Sequence, residues 1–241
     1  PWRHDQLQLS LQPWYELRGR RCAGLEVCVQ VAHEKGGAEP VLRAAGDELP
    51  ALGHWVLTEA LHLWNGWFAR GVAPPRLAIN VAAIELERRD YAEMTLRLLK
   101  SMAVPTQVLQ LEISEDVLGA AGHDSTLMRN LRTLRQQGVH VALDQFGRRQ
   151  AALAAIGDWP VNVIKLDRRC VHALRDTPHQ DTLLASIATY AQALGHELIF
   201  CGVETEDDLA NLATFGTALA QGYGLQKPMS ALEFDAHLAT A

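Results

Sequence analysis

The stretch Val139-His140-Val141-Ala142-Leu143-Asp144-Gln145-Phe146-Gly147 decides how this chain folds. Its opening residues are mostly β-branched or small and apolar, as in a buried strand. It closes on an acid, an amide, an aromatic and a glycine, where a loop should begin. An ionised carboxylate at the end of an apolar strand is costly unless it is paired or binds a metal. Asp144 is therefore a candidate site residue, and Gln145 beside it is the feature that needs explaining.

The same pattern recurs on both sides of this stretch. Apolar or alternating runs at 7–11, 25–32, 76–83, 108–114, 161–167, 197–203 and 219–224 read as further strands. Segments at 49–70, 91–102, 124–137, 182–195, 206–215 and 230–239 carry helical spacing, caps or stop signals. Residues 33–47, with Gly36, Gly37, Pro40 and Gly46, read as a loop with a short helical turn. Strand and helix patterns alternate about eight times, and the chain is close to the roughly 250 residues typical of a TIM-type barrel. The expectation is one α/β domain over 1–241, a (β/α)8 TIM-type barrel. A doubly wound open sheet fits less well, because no glycine-rich phosphate loop is present.

The chain carries 22 Lys+Arg against 28 Asp+Glu, a net charge of -6, and so lacks the basic footprint of a duplex nucleic-acid binder. No apolar run reaches membrane-spanning length, and nothing resembles a signal peptide. Cys22, Cys28, Cys170 and Cys201 form no CxxC pair and are expected as buried free thiols in a reducing cytoplasm. The chain begins at Pro1, as a piece of a longer protein would, and the domain is expected in the cytoplasm even if the full-length protein is membrane-attached.

Asn80, Glu112, Asp144, Lys165, Asp167, Glu204 and Gln221 each fall at or near the C-terminal end of a strand run, with Lys165 and Asp167 sharing one. Active sites of these barrels sit on that face. Oxygen-only donors suit a hard cation, Mg²⁺ or Mn²⁺. A lysine among them would hold a phosphate or polarise a water. The chemistry suggested is metal-assisted phosphodiester hydrolysis.

These residues carry a resemblance. Gln12-Pro13, Leu25-Glu26-Val27-Cys28, Ile79-Asn80-Val81-Ala82, Leu111-Glu112-Ile113-Ser114-Glu115, Leu143-Asp144-Gln145-Phe146-Gly147, Ile164-Lys165-Leu166-Asp167, Gly202-Val203-Glu204-Thr205 and Gln221-Gly222-Tyr223 resemble, in order, the motifs of EAL domains. These are bacterial cyclic di-GMP phosphodiesterase and receptor modules. The resemblance implies a barrel with one antiparallel strand, and Glu26, Asn80, Glu112 and Asp144 as ligands of one Mg²⁺ or Mn²⁺ where a metal is bound at all. It implies catalytic roles for Lys165, next to the attacking water, and Glu204. It implies a cyclic di-GMP pocket lined by Gln12, Glu26, Asn80, Asp144, Lys165, Asp167, Glu204 and Gln221. Upstream signalling domains, a protein partner and a homodimer are further expectations of the resemblance.

The departures point the other way. Gln145 replaces the second acid of the paired-Asp motif, and Cys201 the first Glu of EGVE. An amide is a poor substitute for a carboxylate that bridges a second metal. A thiol is a soft ligand and a poor base near neutral pH. Gln30 stands where a phosphate-binding Arg is usual, at a cost on the order of 1.5–3 kcal/mol of ligand binding. Arg148 and Arg149 occupy the altered loop after the fifth strand; they are either substitute phosphate contacts or a solvated pair. The expectation is a degenerate EAL domain that binds cyclic di-GMP with little or no hydrolysis. The alternatives are a protein-interaction module without ligand, with Trp14-Tyr15 or Trp159 exposed at its interface, and a weakly active phosphodiesterase.

Overall fold

The computed structural model describes residues 7–31, 41, 45–147, 156–173, 180–213 and 219–238. Its strands are β1 (Leu7–Glu16), β2 (Arg21–Val31), β3 (Leu77–Asn80), β4 (Leu109–Ser114), β5 (His140–Phe146), β6 (Val163–Leu166), β7 (Glu197–Cys201), β8 (Leu219–Gln221) and β9 (Met229–Ser230). β2 to β8 follow one another in parallel around a barrel. β1 closes it, antiparallel to both β2 and β8. The short β9 pairs antiparallel with β1 at Ser10–Ser230 and Leu11–Met229.

The reversed strand has a local cause. Only residues 17–20 separate β1 from β2, and a turn that short admits no crossover, so the pair must be a hairpin. Gly19 (φ 88°) and Arg20 (φ 50°) supply the left-handed backbone that such a turn needs.

The helices are α1 (Leu49–Ala69), α2 (Ala83–Leu86), α3 (Tyr91–Ser101), α4 (Glu115–Ala120), α5 (Thr126–Gln136), α6 (Arg168–Ala173), α7 (Gln180–Ala193), α8 (Glu206–Ala213) and α9 (Ala231–Leu238). Of the helical stripe Val56, Ala60, Leu63, Trp64, Trp67 and Phe68, α1 buries Val56, Ala60, Trp64 and Trp67, while Leu63 is half-buried and Phe68 exposed; Leu52, Leu57 and Leu61 complete its buried face. Ser125 caps α5, accepting from the Met128 backbone N–H at 3.2 Å. The short α2, α4 and α6 and strand β9 have no counterpart in the periodicity reading, because one or two turns hold too few residues to show a period.

Trp14 fixes the interior. It is wholly buried inside the barrel, packed with Ala78, Ala142, Val163 and Ile199. Gly24 makes the room, since a Cβ there would lie 2.0 Å from the indole. This removes the alternative in which Trp14 and Tyr15 are exposed at an interface: both are buried. Trp159 is partly buried against the core. The four cysteines are free, as expected, but half-buried rather than buried. Most of the 33–47 segment, and Arg148 and Arg149, lie outside the described residues.

Side chains on a strand return to the same face every second residue. One step of two beyond the plug residues Gly24, Ala78, Ala142, Val163 and Ile199 stand Glu26, Asn80, Asp144, Lys165 and Cys201. Alternation along each strand therefore sets a polar layer one step beyond the apolar floor, towards the C-terminal ends of the parallel strands.

Candidate functional site

Lys165 is the centre of this layer. Its ammonium is 2% exposed and donates to Glu26 Oε2 at 2.7 Å and Glu112 Oε2 at 2.6 Å, with Asp144 Oδ1 at 3.8 Å. Gln221 donates to Glu26 Oε2 at 2.8 Å and Asn80 to Glu26 Oε1 at 3.2 Å. Five of the residues picked from strand ends, Asn80, Glu112, Asp144, Lys165 and Gln221, thus form one connected cluster with Glu26, which the resemblance supplied.

The electrostatics of this cluster are lopsided. Three carboxylates share one ammonium. Burial pushes the Glu26 carboxyl up, but Lys165, Gln221 and Asn80 outweigh it and hold it at about 2. Burial and then the Glu26 charge drive Glu112 up to about 8, against the pull of Lys165. The two acids titrate as a pair, because one ammonium keeps one of them charged and leaves the other easily protonated. Burial also raises Asp144. The cluster is short of positive charge, and its donors are the oxygens that a hard cation takes.

Glu26, Asn80, Glu112 and Asp144 therefore fit one hard divalent ion chemically, with the Lys165 ammonium lying among the same acids. Among the described residues, no three His, Cys, Asp or Glu side chains already form a metal-holding group.

Gln145 sits on a break in register between Leu143 and Phe146 in the β5–β6 pairing. Its φ of 58° is left-handed, a conformation that costs a non-glycine residue about 1–3 kcal/mol. The break re-aims consecutive side chains, so Asp144 reaches the cluster and Gln145 lines the space outside it. Gln145 Nε2 donates to Asp144 Oδ2 at 3.3 Å. Burial drives the Cys201 thiol well above its usual range, so it is no base at neutral pH.

A cavity of about 360 Å³ opens above the cluster, lined by Gln12, Asp144, Gln145, Asp167, Arg168, Arg169, Cys201, Glu204 and Gln221 among others. The remaining expected residues line it without touching Lys165. Gln12 donates to the Gln226 carbonyl at 3.1 Å, and Asp167 accepts from the Arg169 backbone N–H at 2.7 Å. Glu204 Oε2 lies 3.6 Å from His172 Nε2. Two glycines let the walls close. A Cβ on Gly222 would lie 2.1 Å from the Val203 carbonyl oxygen, and one on left-handed Gly202 would lie 2.1 Å from the Arg168 Cβ.

The sequence reading missed four residues here. Arg168 and Arg169 are exposed cations on the cavity wall. They follow Asp167 directly, and only the short helix they begin reveals that they face the pocket. Buried Glu115 accepts from the Gly147 backbone N–H at 3.2 Å and so anchors the exit of β5. Gln110 lies one strand step below Glu112 and donates to it at 3.1 Å. Its place two residues before Glu112 was the available signal.

With this geometry in hand, the class is set: an EAL domain family model matches residues 2–228, and the chain belongs to that family. Among curated relatives, it is 34% identical to the cyclic di-GMP phosphodiesterase RocR of Pseudomonas aeruginosa, over 96% of this chain and 59% of the relative. It is 32% identical to the cyclic di-GMP phosphodiesterase PA2567 of the same organism, over 93% of this chain and 39% of the relative. The chain thus spans well under two thirds of either. Among solved structures, the EAL domain of Mycobacterium smegmatis DcpA superposes with a TM-score of 0.81 at 29% identity, covering 97% of this chain and 98% of that one. A structure described as the PaMucR phosphodiesterase in complex with c-di-GMP gives a TM-score of 0.83 at 24% identity, covering 96% of this chain and 95% of that one, and speaks to the fold alone. No helix among the described residues is long and apolar enough to cross a membrane.

Proposed function

We propose that this domain is a receptor in cyclic di-GMP signalling, binding the dinucleotide with little or no hydrolysis and relaying occupancy to a protein partner or to other domains of its own protein. One observation carries the reading. The cavity at the barrel mouth keeps a polar lining that includes Gln12, Asp144, Asp167, Glu204 and Gln221, while two further members, Gln145 and Cys201, stand where the family has acids. Arg168 and Arg169 on its wall offer the positive charge that a phosphodiester requires. In-line hydrolysis with two metals needs both attacking and leaving oxygens clamped, and an amide and a protonated thiol supply neither the second ion's ligand nor a base.

Glu26, Asn80, Glu112 and Asp144 would hold one Mg²⁺ or Mn²⁺, which when bound would polarise a phosphate oxygen. The chain's own residues then orient the ligand. Gln221 and Asn80 hold Glu26, and Glu115 holds the loop beyond Gln145.

Calorimetry with cyclic di-GMP, with and without Mn²⁺, tests binding; the expected result is saturable heat at micromolar protein. A product assay with Mn²⁺ tests turnover, with none expected in the wild type and some gained in Gln145→Asp/Cys201→Glu. No binding heat, or rapid linearisation by the unaltered domain, overturns the proposal. The kinship with two relatives named as phosphodiesterases favours a second reading, a slow phosphodiesterase, and the same product assay decides it.

A further inference from the structure

We propose that Gln110 and Arg76 are positioning residues that orient Glu112 from beneath, through a hydrogen-bonded chain running up the barrel interior to the acid–ammonium cluster. The chain starts at the lower rim, where Arg76 Nη2 donates to Glu197 Oε2 at 2.6 Å. Arg76 Nη1 donates to Gln110 Oε1 at 3.3 Å, Gln110 Nε2 to Glu112 Oε1 at 3.1 Å, and Lys165 Nζ to Glu112 Oε2 at 2.6 Å. It ends on Glu26, which Lys165 also meets. Gln110, Glu112 and Lys165 are all at most 2% exposed.

The direction of these bonds is forced. A guanidinium only donates, so the amide must turn its oxygen to Arg76 and its NH₂ to the carboxylate above. Gln110 thereby holds one oxygen of Glu112, and Lys165 holds the other. Without Arg76 no other hydrogen bond among the described residues holds the amide oxygen, and a flipped amide would set that oxygen against the carboxylate. A buried network of this kind acts as a unit, so loosening its foot is felt at its head. The apolar floor around Trp14 does not interrupt the chain, because β4 places Gln110 level with Ala78 of β3, and Glu112 one step above it level with Ala142 of β5.

The test reads Lys165 directly. In a ¹⁵N-labelled domain with Lys35, Lys100 and Lys227 changed to Arg, the remaining side-chain ammonium signal belongs to Lys165. Gln110→Met and Arg76→Met should each shift that signal and speed its exchange with water, and Arg76→Lys should restore much of it. Asn130→Leu, which cuts buried hydrogen bonds to the Leu86 and Arg88 carbonyls outside the barrel, should leave it in place. A change that only lowers stability moves none of these selectively. Arg76 lies at the rim, so its variants carry the test if Gln110→Met does not fold. An unmoved signal in every folded Arg76 and Gln110 variant overturns the proposal.

Cyclic di-GMP affinity should also fall about ten-fold in these variants, as when the partner of a ligating group is removed. That last arm rests on the receptor reading. A wild type that binds no cyclic di-GMP, while its Lys165 signal still answers to Arg76, defeats the receptor reading alone.

Discussion

Replacing Lys165 with Met tests the central electrostatic claim. Methionine keeps most of the stem volume and removes the ammonium, so the loss reads charge more than packing. Three acids then lose a counter-charge held at 2.7, 2.6 and 3.8 Å in a wholly buried position. Deleting one partner of a buried ion pair costs about 3–5 kcal/mol. Domains of this kind are stable by about 5–15 kcal/mol, so the variant should fold but with a large deficit.

The pH dependence of this deficit has a definite sign. In the wild type, Glu26 sits at about 2 against 4.5 when free, so it adds stability above the free value that is lost as pH falls toward 2. Without Lys165, burial, the largest influence on Glu26, is opposed only by the Gln221 and Asn80 hydrogen bonds, and its folded value should move above 4.5. The folded variant then binds a proton more tightly than the unfolded chain, and its stability falls as pH rises. The deficit against wild type should therefore be larger near about pH 8 than near about pH 5. Urea unfolding at both pH values, with and without Mn²⁺, measures it, and the metal should restore part of the loss by replacing the ammonium among the same oxygens. A loss below about 1 kcal/mol near neutral pH, or a deficit that does not shrink on acidification, would refute the reasoning.

Three further outcomes follow from other residues. Gly222→Ala should cost about 1–3 kcal/mol in thermal or urea unfolding, because its Cβ meets the immovable Val203 backbone at 2.1 Å. Gln145→Gly should raise stability by up to about 1 kcal/mol in urea midpoints, since the relief of left-handed strain exceeds the entropy lost by glycine. Burial raises buried Glu85 to about 7 from 4.5, so wild-type stability should fall by about 3 kcal/mol as pH climbs through that window. Glu85→Gln should flatten that part of the stability–pH curve, and an unchanged curve would show that the carboxyl is solvated in the folded state.

Much of the barrel was legible because its signals are periodic. The parallel strands carry apolar runs long enough to count, and the site acids interrupt those runs at their ends, as Asp144 does in β5. The reversal of β1 was equally present in the text: four residues between two strands exclude a crossover. It was not read from the residues because Pro13 looks like a strand terminator. In fact β1 continues through Pro13 to Glu16, and the irregularity falls one residue further on, between Trp14 and Tyr15. The place of Trp14 was left open between core and interface, because an aromatic beside a proline carries no period of its own. Only the facing Gly24, Ala78 and Ala142 reveal an indole-sized hole, and they lie on three other strands. Lys165 was placed among the site acids, but which of them it bonds was not legible, since pairing across a barrel depends on strand order as well as on strand ends. Arg168 and Gln110 illustrate the same limit on short and long range respectively.

The cluster and the cavity also differ in what they say about function. Lys165 and Glu26 hold each other up, so losing either strands a buried charge and costs stability whether or not a ligand ever binds. Their presence alone is therefore weak support for catalysis. Gln145 and Cys201 stand at the boundary between cluster and cavity, where an amide and a thiol replace acids without leaving a buried charge unpaired. Gln12, Asp167, Arg168 and Glu204 are different again. They line the cavity, and none of them braces the buried cluster. A polar rim kept open over the buried cluster is what the proposed receptor role requires of this site. The residues that report on function are thus those of the rim, where substitution changes a ligand's partners and leaves the barrel's own ion pairs intact.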